Sequence, residues 1–95
     1  MAAPSPTIVL YSKADCEPCI ETRELLTTLL AERGRDGAPL PTVVIRDVAT
    51  DQTWARRYGS AVPVLEIGDR RLPLATSALR LRRFLDEALE PVPTR

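Results

Sequence analysis

The stretch Thr7-Ile8-Val9-Leu10-Tyr11-Ser12-Lys13-Ala14-Asp15-Cys16-Glu17-Pro18-Cys19 decides the fold. Thr7 to Tyr11 is short, apolar and rich in β-branched residues, the pattern of a strand buried on both faces. From Pro18 to Arg33 good helix formers follow, with Cys19, Thr22, Leu25, Leu26 and Leu29 on or near one face at three-to-four spacing, and Gly34 reads as the stop. A strand therefore passes into a helix within a few residues, and two cysteines stand at the junction. In open α/β sheets that junction is where a helix N-terminus turns unpaired N–H groups outward and where function gathers.

Working outward, Asp36, Gly37, Pro39 and Pro41 mark a loop, and Thr42 to Val48 reads as a second strand, so strand, helix and strand form a parallel βαβ unit. A short helix is expected from Asp51 to Tyr58, capped by Thr50 or Asp51 and stopped by Gly59. Trp54 and Tyr58, one turn apart on it, are expected to face the core. Val62 to Ile67 is strand three, Gly68-Asp69 a two-residue hairpin loop, and Arg70 to Leu74 strand four, placed at a sheet edge because Pro73 cannot donate to a ladder. The last helix runs from Ser77 to Leu89, burying Leu81, Phe84, Leu85 and Ala88, and ends before Pro91 and Pro93. The order β-α-β-α-β-β-α implies an α/β fold: a four-stranded mixed sheet flanked by helices on both faces. Residues 1–95 make one domain, with 1–6 and 91–95 as tails.

Composition narrows the chemistry. The 95 residues hold 13 Lys+Arg and 13 Asp+Glu, a formal net charge of zero that gives nucleic acid or an anionic membrane no global attraction. There is no His, so the commonest general base and commonest metal ligand are both missing, and a self-contained zinc site cannot be assembled from two Cys. No apolar run approaches the roughly 20 residues that cross a bilayer. The start lacks the basic and apolar regions of a secretory signal, so a cytoplasmic location is expected. In a reducing compartment a lone Cys pair points to catalysis or metal binding more than to a structural staple.

Cys16 and Cys19, three apart at a helix start, have Cα atoms about 5–5.5 Å from each other, inside the ~4.4–6.8 Å window for a disulfide. The pair can open and close with little backbone motion. Cys16 at the helix start feels the positive end of the macrodipole, whereas Cys19 lies one turn inside. Cys16 is the candidate nucleophile, favoured as thiolate, and Cys19 the resolving thiol. Lys13 reinforces the thiolate, while Asp15 and Glu17 oppose it. Pro18 suits the first helical turn and stiffens the active-site loop.

These residues, together with Asp47-Val48, Arg57-Tyr58-Gly59 and Ala61-Val62-Pro63-Val64, resemble the glutaredoxin-like branch of the thioredoxin superfamily over nearly the whole chain. The resemblance implies a thioredoxin-like, glutaredoxin-type fold and a Val62-Pro63 peptide in the cis form beside the active-site sulfurs. Val62 would present its backbone to an extended substrate, and Lys13 would contribute to ligand binding. It departs from glutaredoxins in two places. Pro18 stands second between the cysteines, as in thioredoxins, and Leu74-Ala75-Thr76-Ser77-Ala78 replaces the usual Gly-Gly turn and acidic residue. Thr76 or Ser77 caps the last helix, whose free N–H groups are a further candidate carboxylate site. The implied activity is thiol–disulfide exchange on protein or small-molecule disulfides by a monomer without a bound cofactor. Glutathione or a flavin-dependent thioredoxin reductase would regenerate the dithiol. Two other readings stay open at this level: an iron–sulfur or metal carrier using Cys16 in a dimer, and a non-catalytic redox-responsive interaction module.

Overall fold

Ile8, Val9, Leu10 and Tyr11 are all buried, and their alternation sends Ile8 and Leu10 into one apolar layer and Val9 and Tyr11 into another. A strand that is apolar on both faces must lie inside a sheet covered on both sides. In a computed structural model, which describes residues 6–89, this strand, β1 (Thr7–Ser12), is the second in a four-stranded sheet. The order is β2-β1-β3-β4, with β2 at Thr42–Asp47, β3 at Val64–Ile67 and β4 at Arg70–Leu72. β1 and β2 run parallel in the register Thr7↔Thr42 to Ser12↔Asp47, β1 and β3 antiparallel with Tyr11 opposite Val64, and β3 and β4 antiparallel.

Helices α1 (Glu17–Arg35) and α3 (Ala78–Ala88) cover the face that carries Ile8, Leu10, Leu65 and Ile67, contributing Leu26, Leu29, Leu30, Leu81, Phe84 and Leu85 to the larger core. Each such side chain, once fully buried, contributes roughly 1.5–3 kcal/mol relative to exposure. Ion pairs Arg33–Asp86 and Arg82–Glu32 bridge α1 to α3 at the surface. Helix α2 (Gln52–Tyr58) lies on the other face, where Val48, Tyr58 and Val64 pack with Val9 and Tyr11, and Trp54 adds a partly buried wall. A single 3₁₀ turn, Val48–Thr50, leads from β2 to α2, and the Asp51 carboxylate caps α2 by accepting from the N–H groups of Thr53 and Trp54.

Several element boundaries differ from the sequence reading. Gly34 lies inside α1, which begins one residue earlier, at Glu17, and runs to Arg35. The stop is Gly37, left-handed at φ 93°, with the N–H groups of Gly37 and Ala38 closing on the carbonyls of Gly34 and Arg33. Gly34 serves instead as a landing place: a Cβ there would sit 2.8 Å from Leu40 Cδ2. Strand three is shorter than expected, since Val62 and Pro63 precede β3. Strand four ends at Leu72, so Pro73 lies just outside β4, though β4 is the sheet edge. The expected tails 1–6 and 91–95 lie outside the described residues except for Pro6, as do Pro91 and Pro93. No helix among the described residues is long and apolar enough to cross a membrane.

Candidate functional site

β1 is followed by a left-handed residue, Asp15 at φ 56°, which turns the chain from strand into helix. Asp tolerates that conformation better than most residues because its short polar side chain can bond locally. Cys16 then takes an extended backbone as the N-cap of α1. Its Sγ accepts from the Cys19 N–H at 3.2 Å, and its carbonyl accepts from the Ile20 N–H. A sulfur thus occupies the place where Ser or Asp usually satisfies an orphan N–H. Pro18, in the first turn, has no N–H to leave unpaired and its fixed φ matches the helix. Cys16 and Cys19 form a disulfide with Cα atoms 5.2 Å apart. Both are buried, at 8% and 4% exposure, so the pair is reached from a limited direction.

The pair borders a cavity of about 210 Å³ whose lining includes Lys13, Asp15, Ile20, Arg23 and Ile45. Lys13 is therefore brought to the cysteines, together with the opposing charge of Asp15. Neither Lys13 nor Arg23 has an ion-pair partner among the described residues.

On the other side of the pair, the Val62–Pro63 peptide bond is cis. Because Tyr11 pairs with Val64, continuing that register sets Pro63 alongside Ser12, at the sheet end where Cys16 stands. Pro63 is fully buried and Val62 half-buried. The Pro63 carbonyl accepts from the Ala75 N–H at 2.8 Å, and the Ala75 carbonyl accepts from the buried Thr22 hydroxyl at 2.6 Å. Two hydrogen bonds therefore tie the helix that carries Cys19 to the Pro63 segment. In sequence Thr22 is one position of an otherwise largely apolar stripe, and its one visible signal is that it is the polar residue there.

Thr76 and Ser77 stand farther along the same segment. Ser77 caps α3, its Oγ accepting from the Arg80 N–H at 3.3 Å, and the Thr76 N–H donates to the Leu74 carbonyl. Ser77 Oγ thus meets one of the free N–H groups that the sequence offered to a carboxylate. Leu74, left-handed at φ 49°, is 55% exposed beside them. Among the described residues no group of three or more His, Cys, Asp or Glu side chains is placed to hold a metal ion.

The sheet face beneath α2 carries a second polar cluster. The Tyr11 hydroxyl donates to Glu66 at 3.2 Å and accepts from Arg46 at 3.4 Å, and Arg71 Nε reaches both Glu66, at 2.8 Å, and the Tyr58 hydroxyl, at 3.0 Å. Burial, and then the negative charge of Glu66, push the Tyr11 hydroxyl above its usual value, with Arg46 opposing. Trp54 stands edge-on to Tyr11, and the Arg46 guanidinium lies 5.0 Å from the Trp54 ring centre. Trp54 thus holds the core role expected of it.

A mixed four-stranded sheet, helices on both faces and a Cys pair capping the helix that follows β1 define a thioredoxin-like domain of glutaredoxin type. The family model described as "Glutaredoxin-like domain (DUF836)" matches residues 7–89, and the chain belongs to that family. It is also similar to a solved structure, "X-ray structure of Northeast Structural Genomics target protein XcR50 from X. campestris". That likeness has 32% sequence identity and a TM-score of 0.64, covering 85% of this chain and 97% of the other. No curated protein matches the chain. Family and Cys pair together give the domain a redox-related thiol chemistry.

Proposed function

We propose that this domain is a thiol–disulfide oxidoreductase that reduces disulfides by dithiol exchange. The observation that carries the reading is the position of Cys16: its sulfur caps a 19-residue helix and accepts the Cys19 N–H, within disulfide reach of Cys19 itself. Partial positive charge at that terminus favours a sulfur anion, which is the attacking species in exchange.

In the reduced protein the Cys16 thiolate attacks one sulfur of a substrate disulfide. That S–S bond breaks, the departing sulfur takes up a proton, and a mixed disulfide to Cys16 forms. Cys19, deprotonated, then attacks the Cys16 sulfur, the second substrate sulfur leaves as a thiol, and the Cys16–Cys19 disulfide results. Two electrons pass from the pair to the substrate. Pro18 keeps the turn stiff, Lys13 supplies positive charge near the reacting sulfurs, and Val62 and Pro63 offer backbone to an extended substrate. Thr76 and Ser77 border that side. Glutathione or a flavin-dependent reductase returns the pair to the dithiol in a reducing compartment such as the cytoplasm.

The test is a Cys19→Ser variant presented with an oxidised protein such as insulin and with a small disulfide. It should accumulate a mixed disulfide at Cys16, detectable by mass, while Cys16→Ser accumulates none and the unaltered chain turns over. Absence of Cys16-dependent reduction of either substrate would sink the reading.

A further inference from the structure

A second cavity, of about 200 Å³, adjoins the one that holds the cysteines, and the two share Arg23 and Ile45. Together they form a groove along the seam between α1 and β2. β2 is a sheet edge, so Val43 and Ile45 on its α1 side remain 39% exposed, and Ile20 on α1 is 56% exposed. The groove reaches the disulfide from the β2 side of β1, whereas Pro63 flanks β1 from the β3 side. Three of the six large apolar side chains that are exposed among the described residues, Ile20, Val43 and Ile45, thus collect in this one groove.

Charge says what kind of contact. Arg23 stands where the two cavities meet and has no ion-pair partner among the described residues. Among the residues that line the second cavity it alone is charged, so that part of the groove is positive with no opposing group. In the first cavity Lys13 adds a cation and Asp15 an anion. A polypeptide that continues away from its own disulfide is long enough to pass from the first cavity into the second.

We infer that the α1–β2 groove seats an extended segment of a polypeptide substrate, two apolar side chains entering the two cavities and an acidic side chain pairing with Arg23. Alternate residues of an extended segment point the same way, which suits two cavities in line. The inference rests on the oxidoreductase reading and assigns its substrate class: polypeptide disulfides with an acidic, apolar flank.

Two measurements separate the groove from the chemistry. In the first, fluorescence anisotropy follows binding of the oxidised protein to a fluorescein-labelled, cysteine-free peptide with two leucines at alternate positions and a neighbouring glutamate, and to its counterpart with lysine in place of glutamate. The glutamate peptide should bind about tenfold tighter. Arg23→Glu should reverse the preference, and Ile45→Ser should weaken both peptides. In the second, the ratio of kcat/KM for a disulfide-bearing form of the glutamate peptide to that for a small disulfide should fall about tenfold in Arg23→Glu. Arg23-dependent binding without any disulfide reduction would keep the groove and discard the chemistry. Reduction of disulfides with no Arg23 dependence in either measurement would overturn the groove. A concentration-dependent dimer dissolved by Ile45→Ser would put a second copy of the chain there and overturn it too.

Discussion

The Thr22 hydroxyl donates to the Ala75 carbonyl across 2.6 Å, joining residues 53 apart in the chain, each only 1% exposed. Ala75 in turn donates its N–H to the Pro63 carbonyl. Replacing Thr22 by Val keeps the shape but leaves a buried carbonyl without this donor, which should cost about 1–3 kcal/mol. Thr22→Ser restores the hydroxyl and should recover most of the loss. Urea denaturation of the three proteins checks this, and equal midpoints for Val and Ser would mean that the hydrogen bond contributes nothing.

Tyr11 gives a pH prediction. Its hydroxyl is held above the ordinary value of 10.0 by burial and by Glu66, so the folded chain keeps this proton to higher pH than the unfolded chain does. Stability must then fall as pH climbs through the unfolded value, because the unfolded state is the one that has released the proton. Tyr11→Phe removes the titration along with hydrogen bonds to Glu66 and Arg46. It should be less stable by about 0.5–1.5 kcal/mol near neutrality, and the gap should narrow above about pH 10. A gap that widens with alkalinity would refute the assignment.

The junction at Cys16 was legible because three local signals coincide there: an apolar β-branched run, a helical period, and a Pro that suits the first turn. The exchange of Gly34 for Gly37 as helix stop was not, since both are followed by polar or Pro-rich residues and what separates them is backbone: Gly37 turns left-handed and closes the last turn, while Gly34 stays helical. The Thr22–Ala75 bond and the α1–β2 groove were invisible for a different reason. Both depend on which elements become neighbours, and β2 reads as a strand without revealing that its outer edge stays uncovered.

The two glycines make that distinction measurable. Gly37 stands at φ 93°, where a Cβ crowds the following carbonyl, so Gly37→Ala should cost roughly 1–2 kcal/mol. Gly34 is helical, and alanine there gains up to about 1 kcal/mol of helix propensity. Its Cβ meets only the end of the Leu40 side chain, which is 63% exposed and free to swing away. Gly34→Ala should therefore leave stability unchanged or raise it. Thermal unfolding of both variants decides the matter, and a destabilised Gly34→Ala beside a neutral Gly37→Ala would place the helix stop back at Gly34.

The two sulfurs should react unequally once the disulfide is reduced. Cys16 caps α1 and receives the Cys19 N–H, whereas Cys19 lies one turn inside the helix and is the more buried of the two. The helix terminus stabilises negative charge at Cys16 and falls off within the first turn, so the gain at Cys19 is smaller. Limiting iodoacetamide at about neutral pH should yield a singly alkylated protein whose label maps to Cys16, by about tenfold over Cys19. Peptide mapping after partial reaction reads the ratio directly. A predominance of label on Cys19 would exchange the attacking and resolving roles, and the mixed disulfide would then accumulate in Cys16→Ser instead.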